Sequence, residues 1–159
     1  MSVRRHIAAL YPEMRAYAQA LTRDRAGAED LASDAVVRAL AARGAPETPE
    51  RLRPWLFRVM RNLHVDGWRA RRVREEYAAR EGRLFDEGTA PARAEDDALG
   101  RRALAALSPP HREVLVLVDG LGLNYTEAAA VLGVPKGTVM SRLARARAAM
   151  IDRVGGQGR

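Results

Sequence analysis

The chain has no cysteine in its 159 residues, which excludes disulfides, thiol nucleophiles and thiolate metal sites. It has one lysine, Lys136, among 27 basic residues; all the others are arginine. Aromatic residues make up only 5% of a sequence that is 47% hydrophobic, so its cores must rest on Leu, Val, Ala and Met. No apolar run approaches the roughly 18 residues that a membrane span needs. The opening Met1-Ser2-Val3-Arg4-Arg5-His6 passes straight into an amphipathic pattern, without the apolar block of a secretion signal. A soluble, cytoplasmic protein with no membrane insertion is the expectation. His6, His64 and His111 lack carboxylate or histidine partners at motif spacing, and no glycine-rich phosphate loop is present. The histidines read as surface residues; no enzymatic chemistry, metal or cofactor is expected.

What the sequence does have is positive charge and helical period. The formal net charge of +7 favours a polyanionic partner. A GC-rich genome also enriches arginine and alanine, so the placement of the charge says more than its total. No stretch alternates apolar and polar residues as a half-buried strand does. Ile7, Leu10, Met14, Tyr17 and Leu21 recur at helical steps and mark a first buried face. A second helix is predicted over residues 28–43, with Ala28, Leu31, Ala32, Ala35, Val36, Ala39 and Leu40 inward. Its other face carries Asp30, Ser33, Asp34, Val37 and Arg38. Gly44-Ala45-Pro46-Glu47-Thr48-Pro49 is loop chemistry, and a third helix is predicted from near Pro54 to about Arg74. From Arg72 to Gly100 the period decays through Gly82, Gly88 and Pro91 and ends in Glu95-Asp96-Asp97. That acidic run reads as a solvated linker and helix N-terminus rather than a metal site. The fold expected is all-α: two small helical domains, 1–74 and 96–159, joined by a flexible linker at 75–95.

The end of the second domain is the most informative part. Asn124 followed by Glu127 has the form of a capping box. Gly133 stands where that helix must stop, in a position suited to the left-handed conformation. Val134-Pro135 completes a turn, and a second helix begins at Lys136. Its Val139, Leu143, Ala146 and Met150 share a buried stripe. The other face presents Met140, Ser141, Ala144 and Arg145, flanked by Lys136, Thr138, Arg142 and Arg147. This is a helix-turn-helix whose basic second helix suits a major groove. In the first domain, Arg58, Arg61, Asn62, Arg69 and Arg72 form a stripe suited to a phosphate backbone, and nearby Trp55 offers a ring to an unstacked base.

The run Tyr125-Thr126-Glu127-Ala128-Ala129-Ala130-Val131-Leu132-Gly133-Val134-Pro135-Lys136-Gly137-Thr138-Val139-Met140-Ser141-Arg142-Leu143-Ala144-Arg145-Ala146-Arg147 resembles region 4 of the extracytoplasmic-function sigma factors of the sigma-70 family. Ala28 to Leu40 is similar to that family's region 2 helix that docks on the polymerase clamp. Pro54-Trp55-Leu56-Phe57-Arg58-Val59-Met60-Arg61-Asn62-Leu63-His64-Val65-Asp66 resembles its segment that recognises and melts the minus-ten element. The resemblance covers roughly residues 5–74 and 95–152. It implies an alternative sigma factor that binds RNA polymerase core and promoter DNA and is held by an anti-sigma factor. Asp30, Ser33, Asp34 and Arg38 would contact polymerase, and Val37, an apolar residue on that polar face, fits a partner surface. Trp55, Asn62 and the 44–53 loop would handle the minus-ten strand. Met140 departs from the arginine or lysine usual at its position, and methionine cannot make a bidentate contact to guanine.

Two other functions fit parts of the sequence. A stand-alone helix-turn-helix regulator usually dimerises to read a palindrome, whereas no dimerisation helix is visible and a monomer is expected when free. A sigma-like decoy for an anti-sigma protein is the other; known decoys carry a receiver domain, and no segment here alternates strand and helix as one would. No further C-terminal domain is expected, and Gly155-Gly156-Gln157-Gly158-Arg159 reads as a frayed tail.

Overall fold

The computed structural model describes residues 2–81 and 99–155, and among them there are helices and no strand. Helix α1 (Val3–Thr22) buries Ile7, Met14, Tyr17 and Ala18. It ends where Arg23 turns left-handed, with φ 57°, and returns its N–H to the Gln19 carbonyl. Asp24 then caps α2 (Arg25–Ala41) by accepting from the Gly27 N–H at 2.9 Å. The inward face of α2 is mostly alanine (Ala28, Ala32, Ala35, Ala39), which lets α1 pack closely along it. Leu40 departs from expectation: it lies past the edge of that narrow face and is 48% exposed.

Helix α3 (Pro49–Arg80) is longer than predicted at both ends. Thr48 is its N-cap and Pro49 supplies the first-turn proline, so Pro54 lies inside the helix. Residues 49–53, expected as loop, are therefore helical. Leu52, Leu56, Phe57 and Met60 are buried, and the Phe57 ring meets Tyr17 edge-on at 5.4 Å. Beyond that core, residues 66–77 are all exposed. This stretch holds its helix by the good propensity of Arg, Glu and Ala, helped by the Arg72–Glu76 pair one turn apart. Part of the expected linker thus belongs to α3. The rest, residues 82–98, and the tail 156–159 lie outside the described residues.

The second domain comprises α4 (Leu99–Ala106), α5 (Pro109–Leu115), α6 (Tyr125–Leu132) and α7 (Lys136–Gly155). Helix α5 widens into a π-turn over Val116–Gly120, where the Leu121 N–H reaches back five residues to the Val116 carbonyl. Leu107, Val114, Leu117, Leu123, Val131, Val139 and Leu143 fill the core. The two domains are packed together, α1 against α5 and α3 against α6. His6, expected at the surface, is buried, and its Nδ1 finds no hydrogen-bond partner. Among the described residues, no helix is long and apolar enough to cross a membrane, and no group of His, Cys, Asp or Glu could hold a metal ion.

Candidate nucleic-acid and polymerase interfaces

The helix-turn-helix is built by local chemistry. Asn124 Oδ1 accepts from the Glu127 N–H at 2.8 Å while Glu127 Oε1 accepts from the Asn124 N–H at 3.1 Å, closing a capping box on α6. Gly133 ends α6 with φ 65°, a conformation that costs an L-residue about 1–2 kcal/mol. Val139, Leu143 and Ala146 bury one stripe of α7, leaving Lys136, Met140, Ser141, Ala144 and Arg145 exposed and Thr138 and Arg142 half-buried. Lys136, Arg142 and Arg145 have no hydrogen-bond or ion-pair partner among the described residues. Arg147 differs. It forms a two-pronged pair with Asp119 of the π-turn, at 2.7 and 3.0 Å, and that bond holds the Asp119 carboxyl below its ordinary range. Arg147 therefore braces α7 against the π-turn, and a cationic surface is left to its neighbours.

The stripe on α3 splits in two. Asn62, Arg69 and Arg72 face outward; Arg72 lies over the half-exposed Trp68 ring at 5.2 Å. Trp55 is half-buried against the core. Arg58 and Arg61 instead reach the second domain. Arg58 donates to the Ala130 carbonyl at 2.8 Å, satisfying one of the carbonyls left open at the end of α6. Arg61 Nε donates to Glu113 of α5 at 2.8 Å, and the same carboxylate oxygen accepts from the Tyr17 hydroxyl at 2.6 Å. Burial, with the Glu113 charge beside it, pushes the Tyr17 phenol well above its ordinary value. Two more arginines cross between the domains: Arg112 donates to the Ala20 carbonyl at 2.8 Å, and Arg53, paired with Glu13, also donates to the Leu121 carbonyl. Burial pushes the Arg112 guanidinium pKa down.

On α2, Asp30, Ser33, Asp34, Val37 and Arg38 are all exposed, Val37 by 66%. Val37 and Leu40 border a shallow groove completed by Ile7, Ala8 and Tyr11 of α1. Leu40, three residues on and equally apolar, was read as inward and instead lies beside Val37 at the surface. Glu113, Arg53 and Arg112 carry no signal in the sequence, because their partners lie far away in it.

Residues 6–74 match the family described as Sigma-70 region 2, and residues 101–150 match Sigma-70, region 4. The chain belongs to the sigma-70 family. The sigma factor is 35% identical over 148 residues to "ECF RNA polymerase sigma factor EcfG" of Rhodopseudomonas palustris, a match covering 92% of this chain and 81% of the relative. It is 36% identical to "ECF RNA polymerase sigma factor SigL" of Mycobacterium tuberculosis, over 85% of this chain and 81% of that one. Among solved structures it is similar to the sigma factor RpoE in complex with the anti-sigma factor NepR from Bartonella quintana. That likeness has a TM-score of 0.75, 29% identity and 96% coverage of both chains. The sigma factor is thus of the extracytoplasmic-function kind, an alternative sigma factor that binds RNA polymerase and directs initiation at promoters. It is a DNA-binding regulator in which the region 2 match precedes the region 4 match.

Proposed function

We propose a division of labour among three surfaces of this sigma factor. The exposed α2 face, with Asp30, Ser33, Asp34, Val37 and Arg38, docks on polymerase core. Its single apolar patch at Val37 and Leu40 supports this, because an apolar patch on a charged face is a partner surface more often than a solvated one. Trp55, Arg58, Arg61, Asn62, Arg69 and Arg72 of α3 take the minus-ten element, the arginines on phosphates and Trp55 and Asn62 on the extruded base. Lys136, Thr138, Met140, Ser141, Arg142, Ala144 and Arg145 of α7 read the minus-thirty-five element, with Arg147 supporting the helix. The protein works in the cytoplasm, where polymerase is, and an anti-sigma factor binds it, as NepR binds the related RpoE.

The observation that carries this reading is the outward face of α7, where Lys136, Arg142 and Arg145 stand on a helix-turn-helix with no partner among the described residues. Met140, half-exposed among them, contacts bases without a bidentate bond, so the minus-thirty-five sequence differs from one read by arginine there. The test is run-off transcription with purified core over a genomic promoter library. The expected result is a small set of initiating promoters sharing two elements. Initiation independent of this protein at all of them overturns the reading.

A further inference from the structure

A cleft of about 930 Å³ opens where the end of α1, the middle of α3 and the start of α5 meet. Small-molecule sites span about 300–1,000 Å³. Five arginines and two glutamates line the cleft, and the positive charge is not balanced inside it. Glu113 is taken by Arg61 and Tyr17, and Arg112 directs its donors to the carbonyls of Ala20, Ala105 and Leu107. The Arg23 and Arg71 side chains are exposed and have no hydrogen bond or ion pair among the described residues. The cations also repel one another. Burial first, and then the Arg23 charge, push the Arg112 guanidinium pKa down. His64 is lowered by burial first and further by Arg71, Arg61 and Arg112, against the pull of Glu113. An anion among them relieves that repulsion. Arg23 is the one non-glycine residue with positive φ among the described residues, at 57°. It stands at a helix end where glycine or asparagine is usual, and such backbone outliers gather at functional sites.

Much of the remaining lining is apolar: Leu21, Val65, Pro109 and Pro110, with the half-exposed Trp68 ring. The Arg72 guanidinium lies over that ring at 5.2 Å, and an aromatic ring beside a planar cation is a surface on which a base stacks. We propose that this cleft is a nucleotide site, in which Trp68 and its apolar neighbours hold the base while Arg23 and Arg71 hold the phosphates. Guanidinium forks match phosphate oxygens, and these two come from different elements, so one phosphate chain bridges the end of α1 and α3. Walls from three helices suit a small ligand, whereas a nucleic-acid strand needs a groove that tracks its backbone. The site goes beyond the promoter contacts assigned above, which include neither Arg23, Trp68 nor Arg71.

Isothermal titration of the full chain with ATP, GTP and inorganic triphosphate at physiological salt tests the site. The expected result is one nucleotide per chain, bound more tightly than inorganic triphosphate. Arg23→Gln and Arg71→Gln should each weaken ATP about five- to tenfold, as the loss of a charged hydrogen bond does. Trp68→Leu should weaken ATP and GTP by about fivefold or more, since it removes the stacking surface, and leave inorganic triphosphate unchanged. All three residues are exposed, and circular dichroism checks that each variant folds. Arg43→Gln, exposed and outside the cleft, removes the same charge and should leave ATP binding as it was. Absence of binding at millimolar ATP overturns the proposal. Inorganic triphosphate binding as tightly as ATP overturns the base contact. A loss from Arg43→Gln equal to that from Arg23→Gln reduces the effect to diffuse charge and overturns the site. A short single-stranded oligonucleotide is titrated in parallel. If it binds more tightly than ATP and loses as much from Arg23→Gln and Arg71→Gln, the cleft belongs to a strand and the nucleotide site is overturned.

Discussion

Gly133 and Gly137 lie four residues apart across the turn that sets the angle between α6 and α7, and alanine should have opposite effects at the two. At Gly133 φ is 65°, and an added Cβ would meet no atom within 4 Å. No steric clash enters, and the cost is the left-handed backbone alone, about 1–2 kcal/mol for an L-residue. Alanine also has less freedom to lose in the unfolded chain, which returns about 0.4–1 kcal/mol. Gly133→Ala should therefore destabilise by about 1 kcal/mol. Gly137 is in the first turn of α7 with ordinary helical φ, and a Cβ there also meets nothing. Alanine at that position should stabilise by up to about 0.5–1 kcal/mol. Gly133→Asn should fall between, since asparagine tolerates the left-handed region. Urea denaturation followed by circular dichroism reads all three. A 1 kcal/mol change moves Tm by about 2–4 °C if the chain unfolds as one unit, and by about 4–8 °C if the second domain unfolds alone. Gly133→Ala and Gly137→Ala shifting stability in the same direction would refute the reasoning. So would a loss above about 3 kcal/mol at Gly133, which requires a clash the structure does not contain.

Arg145→Ala should cost about 1–3 kcal/mol of promoter binding and relax preference at one position, whereas Lys136→Ala, at the helix start, should weaken all sites alike; sequence-preference profiles for the two variants decide. Asn62→Ala should depress initiation from duplex promoters more than from a template pre-opened by mismatches across the minus-ten element, because capture of the extruded base helps offset unpairing. Trp55→Ala should show the same ratio together with a lower Tm, since its ring is half-buried on the core. Equal defects on both templates would remove strand opening as the role of either residue. His64 has its pKa lowered below 6.5 by burial, opposed by Glu113 and reinforced by Arg71, Arg61 and Arg112. Its unfolded form then takes the proton more readily, so stability should fall as pH drops from about 6.5 toward the lowered value and level off beneath it. His64→Gln should flatten that part of the stability–pH curve, and an unchanged slope would assign it to other groups.

The helix-turn-helix was legible because its signals are local. Asn124, Glu127 and Gly133 each act within one helical turn of themselves, and Val139, Leu143 and Ala146 repeat with the period of the helix they form. The start of α3 was misread because Pro54 suits a first turn as well as Pro49 does, and the helix begins at the earlier of the two. Its end was misread for the opposite reason. Residues 66–77 bury nothing, so no apolar period marks them as helix. Leu40 and His6 show the limit of single-residue reasoning, since each sits at the edge of a face whose width depends on the neighbouring helix. The contacts between domains left no trace in the pattern at all. Tyr17 and Glu113 are 96 residues apart, and Arg61 and Glu113 are 52 apart; each looks like an ordinary surface or core residue until the fold joins them. The π-turn that places Asp119 against Arg147 was equally silent.

The lone lysine makes the recognition helix chemically addressable. Lys136 is exposed at the first position of α7 and is the only side-chain amine in the protein. An amine-directed acylating reagent has no other side chain to modify, and each adduct replaces a cation at the start of α7 with a neutral amide. A lysine-specific protease likewise has one bond to cut, between Lys136 and Gly137. The rate of acylation, corrected for the α-amine at the N-terminus, therefore reads solvent access at a single point beside the helix-turn-helix, and the rate of cleavage reads local unfolding there.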